Sequence, residues 1–347
     1  MAKLANGADS VELFNFNNIT LSGAGTKTAT GALTIAGDVS ITNNFTAGSF
    51  THTVSGNWTN SGTFTSTGST IDFNGSGSGN IGSSNFNNIT FSGAGTKTAT
   101  GALTIAGNVS LTNNFTAGSF THTVSGNWSN SGTFTATGST VDFNGSGSGN
   151  IGSSNFNNIT FSGAGTKTAT GALTIAGNVS ITNNFTAGSL THTVAGNWTN
   201  SGTFTATGST IDFNGTTQSI GATTFNNFTT SNSGTKTAGG NLTINGNLDN
   251  GGASNNAVTL DMGTNTLSVS GTKDNTSATI KFGGTSNGVA ISTGTIEYNG
   301  TSQTVATGTY ATLNLTSAST YTPNGSLTAT TLDNGGSSNN AATLNMA

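Results

Sequence analysis

Leu103-Thr104-Ile105-Ala106-Gly107, His122-Thr123-Val124-Ser125-Gly126, Val141-Asp142-Phe143-Asn144-Gly145 and Ile159-Thr160-Phe161-Ser162-Gly163 share one pattern, an alternating run that closes on a glycine. The closing glycines are almost evenly spaced, and after a shorter step the pattern comes round again at Gly177. Apolar residues at every second position mark a strand, whose side chains point alternately to its two faces. Aligned on glycines alone, the phrases sort into two inward columns, Leu103, His122, Val141, Ile159 beside Ile105, Val124, Phe143, Phe161, with Thr104, Thr123, Asp142 and Thr160 facing out. The alignment does not force that separation. It predicts an all-β chain, a single parallel β-helix or β-solenoid of about 20 coils of roughly 14 to 19 residues, stacked at ~4.8 Å. Gly107, Gly126, Gly145 and Gly163 are its turn glycines.

Around these phrases lies a longer period. The stretch that begins at Phe16 returns almost unchanged at Phe86 and again at Phe156, with Ile41, Leu111 and Ile181 in equivalent places. Residues 1–15 match this unit poorly and read as a start segment or an atypical first coil. Residues 16–224 hold three near-identical copies with a period of about 70 residues, and 225–347 hold divergent coils with an offset of about 84 to 85 residues. Thus Leu248-Asp249-Asn250-Gly251-Gly252 returns at Leu332, and Ile211-Asp212-Phe213-Asn214-Gly215 at Ile296. The pattern stops in mid-repeat at Leu344-Asn345-Met346-Ala347. An open strand edge there needs a continuation, a cap or a partner, so the expectation is either further repeats or end-to-end self-association.

Composition supports a thin core. Only 31% of residues are hydrophobic and 5% charged, with 52 glycines, one proline and a net charge of -4. Disorder at such low hydrophobicity normally comes with high net charge, which is absent. A solenoid reconciles the numbers, because its core is one side chain deep and its outer face can be Thr, Ser and Asn. The seven basic residues are all lysines and form no cluster, which argues against nucleic-acid binding. No apolar run is long enough for a membrane helix, so no membrane insertion is expected, and Met1 to Phe14 lacks the charged start and apolar stretch of a secretory signal. There is no cysteine.

No catalytic, cofactor or metal motif emerges. His52, His122 and His192 occur once per copy, about four coils or ~19 Å apart, too far for a shared metal, and His122 falls in a core column. A buried imidazole hydrogen-bonded to backbone is the expectation. Trp58, Trp128 and Trp198 read as packing or corner residues, with sugar stacking as the alternative. Asp72, Asp142 and Asp212 alternate with apolar residues and should face solvent, one per copy, whereas a glycosidase needs paired acids. Asp249, Asp261, Asp274, Glu297 and Asp333 look scattered. In Thr96-Lys97-Thr98-Ala99-Thr100 the lysine is expected outside. Asn113-Asn114, Asn130-Ser131-Gly132 and Ser146-Gly147-Ser148-Gly149-Asn150 are turn residues that tolerate positive φ. Abundant Thr-x-Thr raises ice binding, but the outward column pairs Thr123 with Asp142 and breaks the ladder.

Coils ending in Gly-Asn, as in Ile105-Ala106-Gly107-Asn108-Val109 and Val124-Ser125-Gly126-Asn127-Trp128, and phrases such as Gly56-Asn57-Trp58-Thr59-Asn60-Ser61-Gly62-Thr63-Phe64, resemble the repeats of bacterial filamentous-haemagglutinin-type surface proteins. The resemblance covers nearly the whole chain and carries no catalytic motif. It implies a right-handed β-helix in an extracellular or cell-surface setting: a non-enzymatic shaft or fibre of an adhesin, or a self-stacking filament. A cell-surface or carbohydrate ligand is left open. The alternatives are a β-helix carbohydrate-active enzyme and an ice-binding solenoid.

Overall fold

The computed structural model describes residues 2–4, 10–11, 15–284, 288–335 and 342–345, the first two segments as backbone only. Most of the start segment over 1–15, Gly336, and the closing Met346-Ala347 lie outside the described residues. Among the described residues every regular element is a strand. The chain is an all-β solenoid of parallel sheets with about 17 turns.

As far as Thr279–Phe282, paired strands stand three apart in chain order, so three strands complete a turn: Val39–Ile41, for example, lies between Ile19–Leu21 and Trp58–Asn60. The strands are short because a Gly, Asn or Ser corner follows every few positions, and β-branched Thr, Val and Ile fill the pleated positions between corners. The chain forms two compact units, residues 1–174 with 182–185, and residues 175–181 with 186–347.

In the first unit Ile105 pairs with Val124, His122 with Val141, Val124 with Phe143, Val141 with Ile159 and Phe143 with Phe161. Each of these residues, and Leu103, is at most 3% exposed. Phenylalanine rings continue the order: Phe73 stacks on Phe91 at 5.8 Å and Phe91 on Phe115 at 4.2 Å. Burying each such side chain stabilises by about 1.5 to 3 kcal/mol relative to exposure.

Turns are less uniform than the glycine spacing implied. Thr70 pairs with Asn88, whereas Trp128 reaches its partner only at Ile151, so the second turn takes in more chain than the first. The short closing step, Gly93 to Gly107 in one copy and Gly163 to Gly177 in the next, is not a turn at all. Ile89 and Phe91 pair with Val109 and Leu111, beyond Gly107, while Leu103 and Ile105 stack on Ser84 and Phe86. The glycine-closed phrase that reappears after the short step therefore sits on another face, which is why about 17 turns are made instead of about 20.

From Leu103–Ile105 to Lys167–Ala169 the repeat contains eleven strands, and eleven is not a multiple of three. Each copy therefore spans three and two-thirds turns, not four. Thr51–Val54 sits between Thr34–Ile35 and Thr70–Phe73 in one sheet; its counterpart Thr121–Val124 belongs to a different sheet. Equivalent side chains of successive copies point to different faces, so a feature that occurs once per copy is not lined up along one side.

The second unit keeps the plan. Thr191–Val194 pairs with Thr210–Phe213, and that strand with Asn227–Thr230. Further on, Thr279–Phe282, Thr295–Tyr298, Gly308–Leu315 and Leu327–Asn334 pair in succession. Phe213 and Tyr298, equivalent by the longer offset, are both fully buried, whereas Leu248 is buried and its counterpart Leu332 is 46% exposed.

Candidate functional site

Charged and polar groups inside the solenoid are where chemistry would be found. Lys97 and Lys167 turn inward, contrary to the expectation for Thr96–Thr100: each is 1% exposed, because Lys97 occupies the same inward phase as Ala99, with Thr98 outside. The Lys97 Nζ donates to the carbonyls of Gly77 (2.5 Å) and Gly75 (3.3 Å). Lys167 donates to Gly147 (2.5 Å), Ser125 (3.0 Å) and Gly145 (3.5 Å). In the second unit Lys236 donates to Gly215 and, at 3.0 Å, to Asn232. Burial pushes all three ammonium groups below their ordinary 10.5, and for Lys236 the charge of Asp212 opposes that shift.

The same seat takes other donors. Tyr321 occupies the position in the tail equivalent to Lys236, and its hydroxyl lies 3.0 Å from the Tyr298 carbonyl and 3.4 Å from that of Gly300. Where the Ser146-Gly147-Ser148 loop is one residue shorter, Gln218 replaces Gly149 and closes the corner itself: its Oε1 accepts from the Gly215 N–H (2.9 Å) and its Nε2 donates to Val194 (2.9 Å) and Gly196 (2.6 Å). Gln303 repeats this with Gly300, Phe282 and Gly284. Ammonium, phenol and amide share one property, an N–H or O–H that satisfies inward backbone carbonyls. An unsatisfied buried carbonyl costs about 1 to 3 kcal/mol, so the seat needs a donor.

His122 is held on both ring nitrogens. Nδ1 accepts the Leu103 N–H at 3.1 Å, which makes Nε2 the protonated nitrogen, 2.8 Å from the Ala117 carbonyl. His52 has the same pair of partners in Leu33 and Ala47, and the His192 Nε2 lies 2.8 Å from the Ala187 carbonyl. Burial lowers all three below 6.5, opposed by the carbonyl that each Nε2 faces. Beside His122 the core leaves a void of only about 10 Å³, lined by Leu103, Phe115 and Trp128 among others.

Trp58 and Trp128 are core residues, 1% and 3% exposed, with no face open to a sugar. Their Nε1 donates to Ser84 and Ser154 at 2.8 Å. Trp198 is likewise buried and donates to Thr223 at 3.0 Å. Asp72 and Asp142 are half-buried on the outer face, each accepting from a serine one turn on, Ser92 and Ser162, at 2.7 Å.

Glycines carry close contacts more than unusual dihedrals. A Cβ on Gly107, Gly126, Gly145 or Gly163 would collide with a residue of the preceding turn; for Gly145 it would meet the Ser125 carbonyl. None of Asn113, Asn114, Asn130, Ser131, Gly132 or residues 146–150 has positive φ; Gly132 and Gly149 lie where a Cβ would meet the preceding turn, whereas a Cβ on Gly147 would meet nothing.

The acids are not all scattered. Asp212, Thr229, Asp249 and Asp274 are successive register partners on one outward column. Burial raises the carboxyl of Asp249 above its ordinary value, and the neighbouring charge of Asp274 adds to that. The Thr276 hydroxyl and N–H hold Asp274 below it. This column was invisible in sequence because turns of unequal length separate its members. Among the described residues no three His, Cys, Asp or Glu side chains come together as metal ligands. Thr104, Thr123, Asp142 and Thr160 follow in register, so the outward threonine row is broken by a carboxylate. No protein family, no curated protein and no solved structure matches the chain.

Proposed function

We infer that this β-solenoid is a structural segment of a bacterial surface protein, a stiff non-enzymatic spacer outside the cell, within an adhesin or a filament. The observation that supports this reading best is the use made of the interior: the ionisable side chains of Lys97, Lys167, His52 and His122 are hydrogen-bonded to backbone, where they tie one turn to the next. Polar groups used in this way add stiffness and leave a hydrated outer surface with few charges. The resemblance of the repeat phrases to those of filamentous-haemagglutinin-type proteins points in the same direction.

Deleting residues 86–155 is the test, since it joins identical sequence and should remove three and two-thirds turns, about 18 Å at ~4.8 Å per turn. Electron microscopy or small-angle scattering should report a particle shortened by that amount with unchanged width. An unfolded or unshortened particle would contradict the spacer reading. Degradation of a polysaccharide by the intact chain, or thermal hysteresis in ice, would replace it with one of the two alternatives.

A further inference from the structure

One turn after Trp58 and Trp128, the corners that follow Ile81 and Ile151 are irregular. Phe86 stands five positions after Ile81, whereas one turn earlier Phe64 stands six after Trp58, and one turn later Ile105 stands six after Ala99. The ladder is interrupted at this shorter corner: Thr63–Thr65 ends one sheet and Ser84–Phe86 begins another. A groove of about 440 Å³ opens there, lined by Asn60, Ser61, Thr63, Ser83, Ser84 and Asn85. The second copy has the same interruption, after Thr133–Thr135, and the same groove, about 530 Å³.

At its floor sits Ser84, 6% exposed. Its Oγ accepts from the Trp58 Nε1 (2.8 Å) and from the Asn60 Nδ2 (2.9 Å), so both lone pairs are committed and the hydroxyl proton remains to be donated. Ser154 is held identically by Trp128 and Asn130. The groove is free of charged side chains, and amides and hydroxyls alternate around a donor fixed from behind. Asn85 and Asn155 stand exposed at its lip. The third copy departs from this: Ala222, Thr223 and Thr224 replace Ser-Ser-Asn, and the Thr223 hydroxyl donates to the Ala222 carbonyl at 2.7 Å.

We propose that these two grooves bind uncharged oligosaccharide, one chain segment per groove, with the Ser84 and Ser154 hydroxyls donating to a sugar oxygen. A groove of this size takes one or two sugar rings, and a neutral polyol both donates and accepts, as the lining does. Because the copies are out of phase by one strand, the two grooves open on different faces. The inference does not depend on the spacer reading, since a chain that binds no sugar can still be stiff.

Isothermal titration of the intact chain with gluco-, manno- and galacto-hexaoligosaccharides tests it. Saturable, salt-insensitive binding with two sites per chain is expected for at least one series. Asn85→Ala with Asn155→Ala should weaken it tenfold or more. Ser84→Thr with Ser154→Thr, which copies the third groove and keeps an acceptor for tryptophan, should do the same in a folded protein. No binding to any neutral series, binding untouched by both double variants, or binding only to acidic or sulfated sugars would overturn the proposal.

Discussion

The ammonium of Lys167 lies 2.5 Å from the carbonyl oxygen of Gly147, inside the coil and not on its surface. Lysine is rarely fully buried unless paired, and here the partners are backbone carbonyls from two earlier turns. Lys167→Met keeps the length of the side chain and removes the donor. It should lower stability by about 1 to 3 kcal/mol in denaturant titration, with Lys167→Gln losing less because an amide can still donate. A neutral outcome for methionine would mean the carbonyls find other donors.

The lysines also set an alkaline signature. In the folded chain Lys97, Lys167 and Lys236 lose their protons below the 10.5 of an unperturbed lysine, so between those values the unfolded chain binds more protons. Stability should therefore rise with pH through that window. Tyr298, raised above 10.0 by burial, acts in the opposite sense: above that value the unfolded phenol ionises while the folded one keeps its proton, so stability falls as pH rises further. Denaturation midpoints measured from pH 8 upward, with and without Lys97→Gln, Lys167→Gln and Lys236→Gln together, should show the rising limb only in the parent protein.

At the acid end the imidazoles dominate by the same linkage. His52, His122 and His192 stay neutral in the fold below their ordinary 6.5, so as pH falls through 6.5 toward the lowered values the unfolded state takes up protons first. Stability should fall over that interval, and His122→Gln should flatten part of the slope in pH-dependent melts. A slope unchanged by the substitution would place the proton uptake elsewhere.

One natural difference between copies isolates a single hydrogen bond. Ser55 and Ser125 donate to Asn74 and Asn144 Oδ1 at 3.0 and 3.1 Å. In the third copy the serine is Ala195, and the buried Asn214 Oδ1 has no partner. Ala195→Ser should stabilise by about 1 kcal/mol, and Ser125→Ala should cost a similar amount. Thermal melts of the two variants should shift in opposite directions.

Much of the architecture is legible in the sequence because alternation that closes on a glycine is a direct imprint of strands and close corners. Lys97 is legible in phase but not in chemistry: its distance from Ala99 puts it inside, yet the partners that make this tolerable are carbonyls, which every residue type carries. The short step from Gly163 to Gly177 misleads for a related reason. Glycine is needed wherever turns approach closely, on all three faces, so a glycine marks a corner without saying which one. The Asp212, Asp249, Asp274 column needs the register of turns of unequal length, and the grooves need one residue fewer between Ile81 and Phe86, a difference visible only once the strands around it are paired.

Disulfide trapping tests the stacking register most directly, because the chain has no cysteine of its own. Thr90 is the register partner of Ser110, on the outward face of neighbouring strands, whereas Thr104 pairs with Asn85 and Thr123. Parallel neighbours at ~4.8 Å lie within the Cα separation a disulfide spans. Oxidised Thr90→Cys with Ser110→Cys should form an intramolecular bridge in nearly all molecules, and Thr90→Cys with Thr104→Cys should form none. Bridging of the second pair in place of the first would mean that the chain closes its turn between Thr90 and Thr104, and the three-strand turn described above would be wrong.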